Sequence, residues 1–537
     1  MNGAKTRELN GIIKSLPFLK DVYQETITLD RPFEQVAAPF AQDFGTVLLL
    51  SGLNLDSSRY NILAVKPWLW LVSKDKSVSI KYRGKESNIQ QDPFSVIQAL
   101  LDRFKFRNDS FDLPVLSGLF GYFAYDLKNL IEKLPCTCVD TGLPDLCLYA
   151  PSIILIQDKK HNNKSDNKPG NKIAQAKLCI PILSNELEYR AKDNLKVTRE
   201  IINSNKQFFF DRFKKKIKSK PFSISINRPE SSPESLSGLK SGLKSEFQSS
   251  FTKPDYIKSV KKIIDYLKAG DIYQANLSQR FETKFSGDAY SLFKDLFKRN
   301  PASFFSYINA SDHIIVSTSP ERFIRQRGKI VESRPIKGTI ARGSTKEQDR
   351  KNGMELANSF KDDAELTMIV DLMRNDLSRV TKHGSVIVKE HKRLEAYENV
   401  FHLVSVVGGE LEDDKTSVDL LKATFPGGSI TGCPKIRSME IIDELESIKR
   451  HVYTGSIGYI SFHDTMDLSI AIRTATIANN KVCFSVGGGI VYDSDPEKEF
   501  QETLDKGKTL MESLICSIHK PSTLNSTSVS NLSGDFK

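Results

Sequence analysis

The chain has 537 residues, of which 39% are hydrophobic and 27% charged, and its formal net charge is +11. This composition is typical of a globular protein with a buried core, and the length predicts about three domains. The sequence has no run of 18 apolar residues, which excludes an ordinary transmembrane helix. Its first residues also lack the apolar stretch of a secretory signal, so we expect a cytoplasmic protein without a membrane partner.

The amino-terminal region, residues 1–229, mixes predicted strands such as TVLLLSG and SIILIQD with helices. Much of its positive charge lies in a polar insertion near 158–172 and in the run RFKKKIKSK at 212–220. No helix-turn-helix, zinc-finger or RNA-binding pattern accompanies them, so we interpret both as solvated loops and expect no nucleic-acid binding. Cys136 and Cys138 are closer than a usual zinc or redox pair, and we expect the seven cysteines to be reduced thiols.

Two segments have compositions that disfavour a packed structure. Residues 230–250, ESSPESLSGLKSGLKSEFQSS, are rich in Ser, Gly, Lys and Glu and poor in branched apolar residues. Such a segment buries too little apolar surface to offset its ordering entropy, so we predict a flexible linker. The last residues, 520–537, have the same character and are predicted to be a disordered tail.

The region between them, residues 251–519, is strongly patterned. Apolar residues recur at helical spacing over 255–269, and Gly270 is predicted to end that helix. Further helices are predicted over 359–374 and 495–514. The β-branched runs IIVST, SVIVKEH, TGSIGYISF and KVCFSVGGGIVY are typical of strands. Strands and helices without regular βα alternation indicate an α+β fold.

Two of the predicted helices carry paired carboxylates. Asp362 and Glu365 are three residues apart, as are Glu499 and Glu502, so each pair shares one helical face. If the two faces meet, their hard oxygen atoms would suit Mg²⁺, which keeps several waters and takes one or two protein carboxylates. The alternative is two solvated first turns, where acidic residues also favour the helix dipole.

Three glycine-containing turns, at 333–343, 425–435 and 484–497, could bring backbone N–H groups close to an anion. The third runs from a strand directly into the second acidic helix. Lys337 lies in the first turn, within PIKGT, and could act as a nucleophile if its surroundings disfavour the ammonium form. Glu321, in SPERF, could be a general acid or base, or could pair with Arg322 at the surface.

Taken together, these segments resemble the chorismate-utilising enzymes, a family of anthranilate, aminodeoxychorismate, isochorismate and salicylate synthases. The resemblance covers nearly all of 251–519, in GDIYQANLSQRF, SPERF, RPIKGT, AELTMIVDLMRNDLSRV, VFHLVS, PGGSITGCPK, YTGSIGY, AIRT and VGGGIVYDSDPEKEFQETLDK. The amino-terminal half resembles the amine-transferring members in LLLSG, SSRYNI and GLFGYFAYDL. The implied fold is a large, two-layered, sandwich-like core of antiparallel sheets flanked by helices, as in the anthranilate synthase large subunit.

The resemblance implies roles for individual residues. It implies Mg²⁺ held by Glu365 and Glu502, with Glu499 near the waters of the metal and Asp362 further out. The metal would bind the ring carboxylate of chorismate. Other positions match those that bind the enolpyruvyl carboxylate or line the ring pocket: Gln274, Gly338, Thr339, His402, Ser429, Tyr453, Arg473, Gly487, Gly488 and Lys506.

Two positions separate the branches of the family. Gln274 stands where water-adding members carry a lysine, and an amide has no basic nitrogen to activate water. Lys337 stands where anthranilate synthases have alanine and aminodeoxychorismate synthases have lysine. The resemblance therefore implies an amino-group transferase that forms 4-amino-4-deoxychorismate, a precursor of p-aminobenzoate and folate, through a covalent Lys337 adduct with Glu321 as proton donor. The main alternative is an anthranilate synthase large subunit.

The chain contains no cysteine nucleophile elbow with a downstream His-Glu pair, so a separate glutamine amidotransferase subunit is expected to supply ammonia. The resemblance also implies a tryptophan pocket in the amino-terminal region. A non-catalytic regulator that only binds tryptophan or chorismate is disfavoured by the complete set of acidic and basic site residues. The positions that match the tryptophan pocket are Ser51, Ser57, Ser58, Arg59, Tyr60, Ser303, Phe304 and Phe305.

Overall fold

The computed structural model describes residues 2–106, 111–162, 174–184, 195–214 and 246–518. Residues 163–172 of the predicted insertion, 230–245 of the predicted linker and the predicted tail at 520–537 lie outside these ranges. Within the described ranges, no helix has the length and apolarity needed to cross a membrane. All seven cysteines are described, and all carry free thiols.

The described helices lie on both sides of an extensive sheet and are numbered in chain order. They are α1 Asn2–Ser15, α2 Phe33–Ala37, α3 Pro93–Arg103, α4 Lys128–Ile131, α5 Lys159–Asn162, α6 Leu195–Phe213, α7 Lys253–Ala269, α8 Ala289–Arg299, α9 Lys346–Ala357, α10 Phe360–Ser378, α11 Ser417–Thr424, α12 Lys435–Leu445 and α13 Pro496–Ile518. Short 3₁₀ turns lie at Ala38–Phe40, Tyr125–Leu127 and Gly428–Ile430.

The strands form one connected hydrogen-bonded network. They are β1 Phe18–Leu29, β2 Val47–Leu50, β3 Tyr60–Lys74, β4 Ser77–Tyr82, β5 Lys85–Gln90, β6 Gly118–Phe123, β7 Leu146–Asp158, β8 Ala174–Ser184, β9 Gln248–Ser249, β10 Gln274–Lys284, β11 Phe304–Asn309, β12 His313–Ser319, β13 Arg322–Arg327, β14 Ile330–Arg334, β15 Ile336–Ala341, β16 Ile387–Ala396, β17 Val400–Glu410, β18 Gly432–Cys433, β19 Ser456–Ser461, β20 Thr465–Ile470, β21 Thr474–Ala478 and β22 Lys481–Ile490.

Two antiparallel arms diverge from the long central pair β3–β7. The first arm runs through β2, β11, β12, β21 and β22 to β10. The second runs through β6, β19, β20, β13 and β14 to β17, which also pairs with β15 and β16. The α+β class and the antiparallel sheet flanked by helices are therefore confirmed.

The core divides between the two faces of the central strands. On β3, Ile62 and Ala64 belong to one buried apolar cluster, whereas Leu63 and Val65 belong to another. Successive side chains of a strand point to opposite faces, so a continuously apolar strand can contribute to two cores at once. Strands of the first arm also contribute to both clusters, since Ile308 of β11 belongs to the first cluster and Tyr307 to the second.

The helix predicted over 255–269 is confirmed as Lys253–Ala269. Thr252 caps its amino terminus, since its side chain accepts a hydrogen bond from the Asp255 backbone N–H, and Gly270 ends it in the left-handed region with φ of +81°. The two acidic helices are confirmed as α10 and α13, and Ser359 caps α10. The predicted strand SVIVKEH, residues 385–391, starts later and extends further, as Ile387–Ala396.

Strands of the two predicted regions are hydrogen-bonded into the same network, since β2 pairs with β11 and β6 with β19. The end of the predicted linker also belongs to the fold, because Gln248 and Ser249 pair with β10. The start of the predicted polar insertion is not a solvated loop either. Lys159 Nζ donates to the carbonyls of Ser51 and Leu53 at 2.6 Å, and burial lowers its pKa to about 8.

Candidate active site

Lys337 lies on β15 at a break in the pairing with β17. The register shifts between Lys337 and Thr339, where Gly338 has φ of +68°. A Cβ atom at position 338 would lie 3.0 Å from Asp362 Oδ1, a very tight contact. Glycine is therefore needed both for the left-handed backbone and for the close packing of α10 against this bulge. Asp362, predicted at the outer edge of the metal site, lies beside the bulge.

The charges of three carboxylates act on the amine of Lys337. Burial lowers its pKa, while the charges of Glu365, Glu321 and Glu502 oppose that shift and Lys506 adds to it. A desolvated amine with a lowered pKa is a better nucleophile at neutral pH than a solvated lysine. The structure thus brings together the predicted lysine, the predicted acid and one carboxylate from each acidic helix.

Glu321 lies just before β13 and is 5% exposed. The Ser429 hydroxyl donates to its Oε1 at 2.6 Å. Burial raises the pKa of Glu321 to about 7, although the serine and the charge of Lys337 lower it. A carboxyl group with this pKa is half protonated near neutral pH and can donate a proton. The alternative of a surface pair with Arg322 is wrong, because that guanidinium binds Asp467 and Glu332.

The carboxylates of α13 face the glycine strand β22. A Cβ atom at Gly488 would lie 3.3 Å from Glu499 Oε2 and 3.6 Å from Glu502 Oε1. Ser494 donates to Glu499 at 2.7 Å, and burial raises the pKa of this carboxyl group. Burial likewise raises the pKa of Glu365 on α10, and the neighbouring Glu502 adds to the effect. The alternative of two fully solvated helical turns is therefore wrong for Glu499 and Glu365, whereas the side chain of Glu502 is 51% exposed.

The donor set has the chemistry that Mg²⁺ prefers, since it consists of carboxylate oxygens, and those of Glu499 and Glu502 lie beside a glycine that leaves space in front of them. As the side chains stand, no group of three or more His, Cys, Asp or Glu residues in the described ranges encloses a metal position. Lys506 Nζ lies 2.6 Å from Glu502 Oε1 and balances its charge. This arrangement fits an ion that takes one or two carboxylates and fills its other positions with water.

His402 lies on β17 opposite Thr339. Its Nδ1 lies 2.9 Å from Thr339 Oγ1, while its buried Nε2 has no hydrogen-bond partner in the described structure. Burial lowers the pKa of His402 to about 3, so the ring is neutral at physiological pH. The ring of Tyr397 packs edge-on against it with a centroid distance of 4.8 Å. An unpartnered Nε2 in a lined pocket is available to a ligand.

Arg473 lies between β20 and β21 with φ of +51°. Its carbonyl accepts from the Thr318 backbone N–H and hydroxyl, which fixes this left-handed residue. Burial lowers the pKa of its guanidinium, and no carboxylate in the described ranges lies within 4 Å to balance the charge. Tyr453 is also enclosed, and burial raises its pKa. An unpaired cation in such surroundings favours binding of an anion such as a carboxylate.

Gln274 is completely buried at the start of β10, where Cys433 pairs with it. Its Nε2 donates to Asn276 Oδ1 at 3.1 Å, whereas its Oε1 has no partner in the described structure. Asn276 Nδ2 donates in turn to the Ser429 carbonyl at 3.2 Å. On the other side, Lys506 Nζ donates to the Gly487 carbonyl at 3.1 Å. The predicted substrate-binding residues therefore lie on both arms of the sheet.

Residues 58–512 match the family described as chorismate binding enzyme. The chain belongs to this family. It is 37% identical over 459 residues to aminodeoxychorismate synthase component 1 of Escherichia coli, covering 85% of this chain and 90% of that protein. It is 35% identical over 462 residues to anthranilate synthase component 1 of Aquifex aeolicus, covering 85% and 86%.

The solved structure of anthranilate synthase component I from Streptococcus pneumoniae has the same architecture. It superposes with a TM-score of 0.66 at 28% identity, covering 86% of this chain and 93% of that one. The resemblance to the chorismate-utilising enzymes is thus confirmed, and this chain is a chorismate-binding enzyme. Relatives named aminodeoxychorismate synthase and anthranilate synthase match the chain almost equally well. The choice between these two activities therefore depends on the residues of the site.

The chorismate-binding enzyme has a cavity of about 90 Å³ that residues of both the amino-terminal and the carboxy-terminal regions line. Arg59 at its edge is paired with Asp158 at 2.7 Å. Ser58 does not line the cavity, but its hydroxyl donates to Ser303 Oγ at 2.9 Å. Tryptophan binding there stays a prediction. The residues from the predicted tryptophan set that line the cavity are Ser51, Ser57, Arg59, Tyr60, Ser303, Phe304 and Phe305.

Three residues that contact the site residues were missed from the sequence: Asn276, Tyr397 and Ser494. Asn276 could have been found, because it lies two positions after Gln274 on one strand and so on the same face. Ser494 could also have been noticed, as a hydroxyl just before the acidic helix. Tyr397 could not, because only the pairing of β16 and β17 brings its ring against His402.

Proposed function

We propose that this chorismate-binding enzyme aminates chorismate at ring carbon 4 and forms 4-amino-4-deoxychorismate, with Lys337 as the covalent nucleophile. The observation that carries the proposal is the position of Lys337 at the β15 bulge beside Gly338 and Asp362, where burial lowers its pKa and the charges of Glu365 and Glu321 act on its amine. Relatives named aminodeoxychorismate synthase component 1 support it at 34–37% identity. An alanine at this position would leave no nucleophile among the carboxylates.

Two successive allylic displacements account for amination at ring carbon 4 with retention of its configuration. In the first, the Lys337 nitrogen attacks carbon 2, the two ring double bonds shift, and the carbon–oxygen bond at carbon 4 breaks. Glu321 donates the proton that lets the hydroxyl leave as water. In the second, ammonia attacks carbon 4, the double bonds shift back, and the lysine nitrogen leaves carbon 2 with the electron pair of that bond. The lysine is regenerated as a neutral amine.

The remaining site residues hold the substrate during these steps. Arg473, Tyr453, Lys506 and the backbone at Gly487 and Gly488 would bind the enolpyruvyl carboxylate. His402 and Thr339 would line the ring, with the neutral His402 Nε2 turned to a ligand polar group. Glu365 and Glu502 would hold Mg²⁺, with Glu499 near its waters. When bound, the ion supplies positive charge that orients and screens the ring carboxylate.

Anthranilate synthesis is the second candidate, and the specific observation in its favour is 35% identity to anthranilate synthase component 1 of Aquifex aeolicus. That chemistry would have ammonia attack carbon 2 directly, followed by loss of pyruvate. It leaves Lys337, whose pKa is lowered by burial, without a role in the reaction. Placing a lysine where its charged form is disfavoured is costly, so the lysine favours 4-amination.

The source of ammonia gives a further test. We expect the purified chain to aminate chorismate with ammonium salts and not with glutamine, because the sequence contains no glutamine-hydrolysing site. Adding a glutamine amidotransferase subunit should allow glutamine to serve as the nitrogen source, because that subunit releases ammonia from it. Product formation from chorismate with each nitrogen source is measured by chromatography, with the partner alone as control. Efficient use of glutamine by the isolated chain would contradict the proposed partner.

The pKa of Glu321 predicts a pH profile. Because the protonated form is the proton donor and its pKa is about 7, kcat should fall as the pH rises above neutrality. Ser429 lowers this pKa through its hydrogen bond, so Ser429→Ala should move the falling limb to higher pH. The measurement is kcat against pH at a constant concentration of free ammonia. A flat profile, or a limb that moves to lower pH in the variant, would refute the assignment.

A further inference from the structure

A buried ion pair, Arg450 and Glu446, lies directly behind the candidate site. Their side chains are only 3% and 6% exposed. Arg450 Nη2 lies 2.7 Å from Glu446 Oε1, and Arg450 Nε lies 2.9 Å from Oε2, so the pair is bidentate. Removing two charges from water is costly, and a hydrophobic pair is often as stable. The contacts that this pair makes beyond itself therefore need an explanation.

Those contacts join two segments that are far apart in the chain. Arg450 Nη1 donates to the Ile430 carbonyl at 3.1 Å, and Nη2 donates to the Asn276 carbonyl at 3.0 Å. Glu446 Oε1 accepts from the Ser278 backbone N–H at 2.8 Å and from its hydroxyl at 2.9 Å. The pair thus ties the turn at 427–431 to strand β10 from behind.

Ser429 lies in the middle of that turn. Its hydroxyl donates to Glu321 at 2.6 Å, and its carbonyl accepts from Asn276 Nδ2 at 3.2 Å. The Asn276 backbone N–H also donates to the Thr431 carbonyl at 2.8 Å. Arg450 therefore binds Ile430, the residue after Ser429. It also binds Asn276 on β10, whose side chain donates to the Ser429 carbonyl. The position of the Ser429 hydroxyl depends on both of these anchors.

We propose that Arg450 and Glu446 are positioning residues, which hold Ser429 where its hydroxyl reaches the proton-donating Glu321. This inference rests on the proposed function in one respect, namely that Glu321 protonates the leaving hydroxyl. The pair does not touch the reacting atoms. Without it, the turn at 427–431 can move by a fraction of an ångström, and a hydrogen bond of 2.6 Å is sensitive to such a shift.

A double-mutant cycle separates positioning from general support of the fold. The variants are Arg450→Lys, which keeps the charge but loses the fork, Ser429→Ala, and the two combined. We expect each single variant to lower kcat by about tenfold on the acidic side of the profile, where Glu321 is protonated in every variant, and the combination by little more, because both disturb one hydrogen bond to Glu321. The loss should fall on kcat more than on KM for chorismate, because Ser429 is expected to line the ring pocket and Arg450 lies 5.9 Å from the Tyr453 ring centroid, but neither is proposed to bind a substrate carboxylate.

Lys128→Met is the matched control. Lys128 is fully buried and pairs with Asp443 at 2.7 Å, in the segment just before Glu446, without contacting the turn at 427–431. This variant should lower the melting temperature and leave kcat of the folded protein unchanged. A comparable loss of kcat in Lys128→Met would overturn the positioning role, as would losses that multiply to about a hundredfold in the Arg450→Lys/Ser429→Ala double variant.

If Arg450→Lys does not fold, Asn276→Ala takes its place in the same cycle, because it removes the bond to the Ser429 carbonyl without leaving a buried charge. All rates are followed as consumption of chorismate. The cycle is therefore independent of which amine is formed. Anthranilate as the product would refute 4-amination and leave the result of the cycle unaffected.

Discussion

Lys337→Ala should lose at least about a hundredfold in the rate of 4-amination, the order expected when a positioned nucleophile is removed. The backbone bulge at Gly338 and the carboxylates of α10 and α13 remain, so chorismate should still bind. Ammonia at high concentration then has only the direct attack on carbon 2 available. The products of wild type and variant, made with chorismate, Mg²⁺ and ammonium, are separated by chromatography and identified by mass.

Lys346→Ala provides the matched control, because Lys346 is an exposed lysine at the start of α9. It should behave as wild type. The wild-type product should be convertible to p-aminobenzoate by an added lyase. Release of anthranilate and pyruvate by the wild-type enzyme, or full 4-amination by Lys337→Ala, would show that the lysine is not the nucleophile and would favour the second candidate function.

Glu502→Gln is expected to weaken Mg²⁺ binding and activity by at least about 10- to 100-fold, the loss typical even of residues that only support metal ligands. The substitution keeps the shape of the side chain but removes a negative oxygen beside Gly488. In the wild type the ammonium of Lys506 lies 2.6 Å from Glu502 Oε1. The variant leaves that ammonium without its charged partner. Magnesium binding is measured by calorimetry and activity by magnesium titration, with the melting temperature as a check on folding.

Glu497→Gln is the control on the same helix. Glu497 lies in the exposed first turn of α13, where it pairs with Lys253 at 2.5 Å. Its loss should affect neither magnesium binding nor turnover, because surface ion pairs contribute little. Equal magnesium affinity in Glu502→Gln and wild type would remove Glu502 from the proposed ligands, whatever the effect on turnover.

Local patterns were sufficient for the elements that carry the site. Local sequence, with Gly270 as an end signal, placed α7, α10 and α13 within a few residues, because a helix end is set by nearby residues such as Thr252, Ser359 and Gly270. Glu499 and Glu502 were predicted to share one face because residues three apart are neighbours on the surface of a helix. The motif resemblance then identified the family.

Tertiary structure decided the properties on which the chemistry depends. Glu321 has a raised pKa because segments distant in the chain bury it, and Ser429, 108 residues away, opposes that rise by donating a hydrogen bond to the carboxylate. Among the residues that the structure describes, Arg473 has no carboxylate partner, while Arg322 has two. Solvent exclusion and charge proximity depend on which long-range segments meet, and no local pattern encodes that. The sequence therefore predicted which side chains form the site. The packing of the two sheet arms determined the protonation state of those side chains and their hydrogen-bond and ion-pair partners.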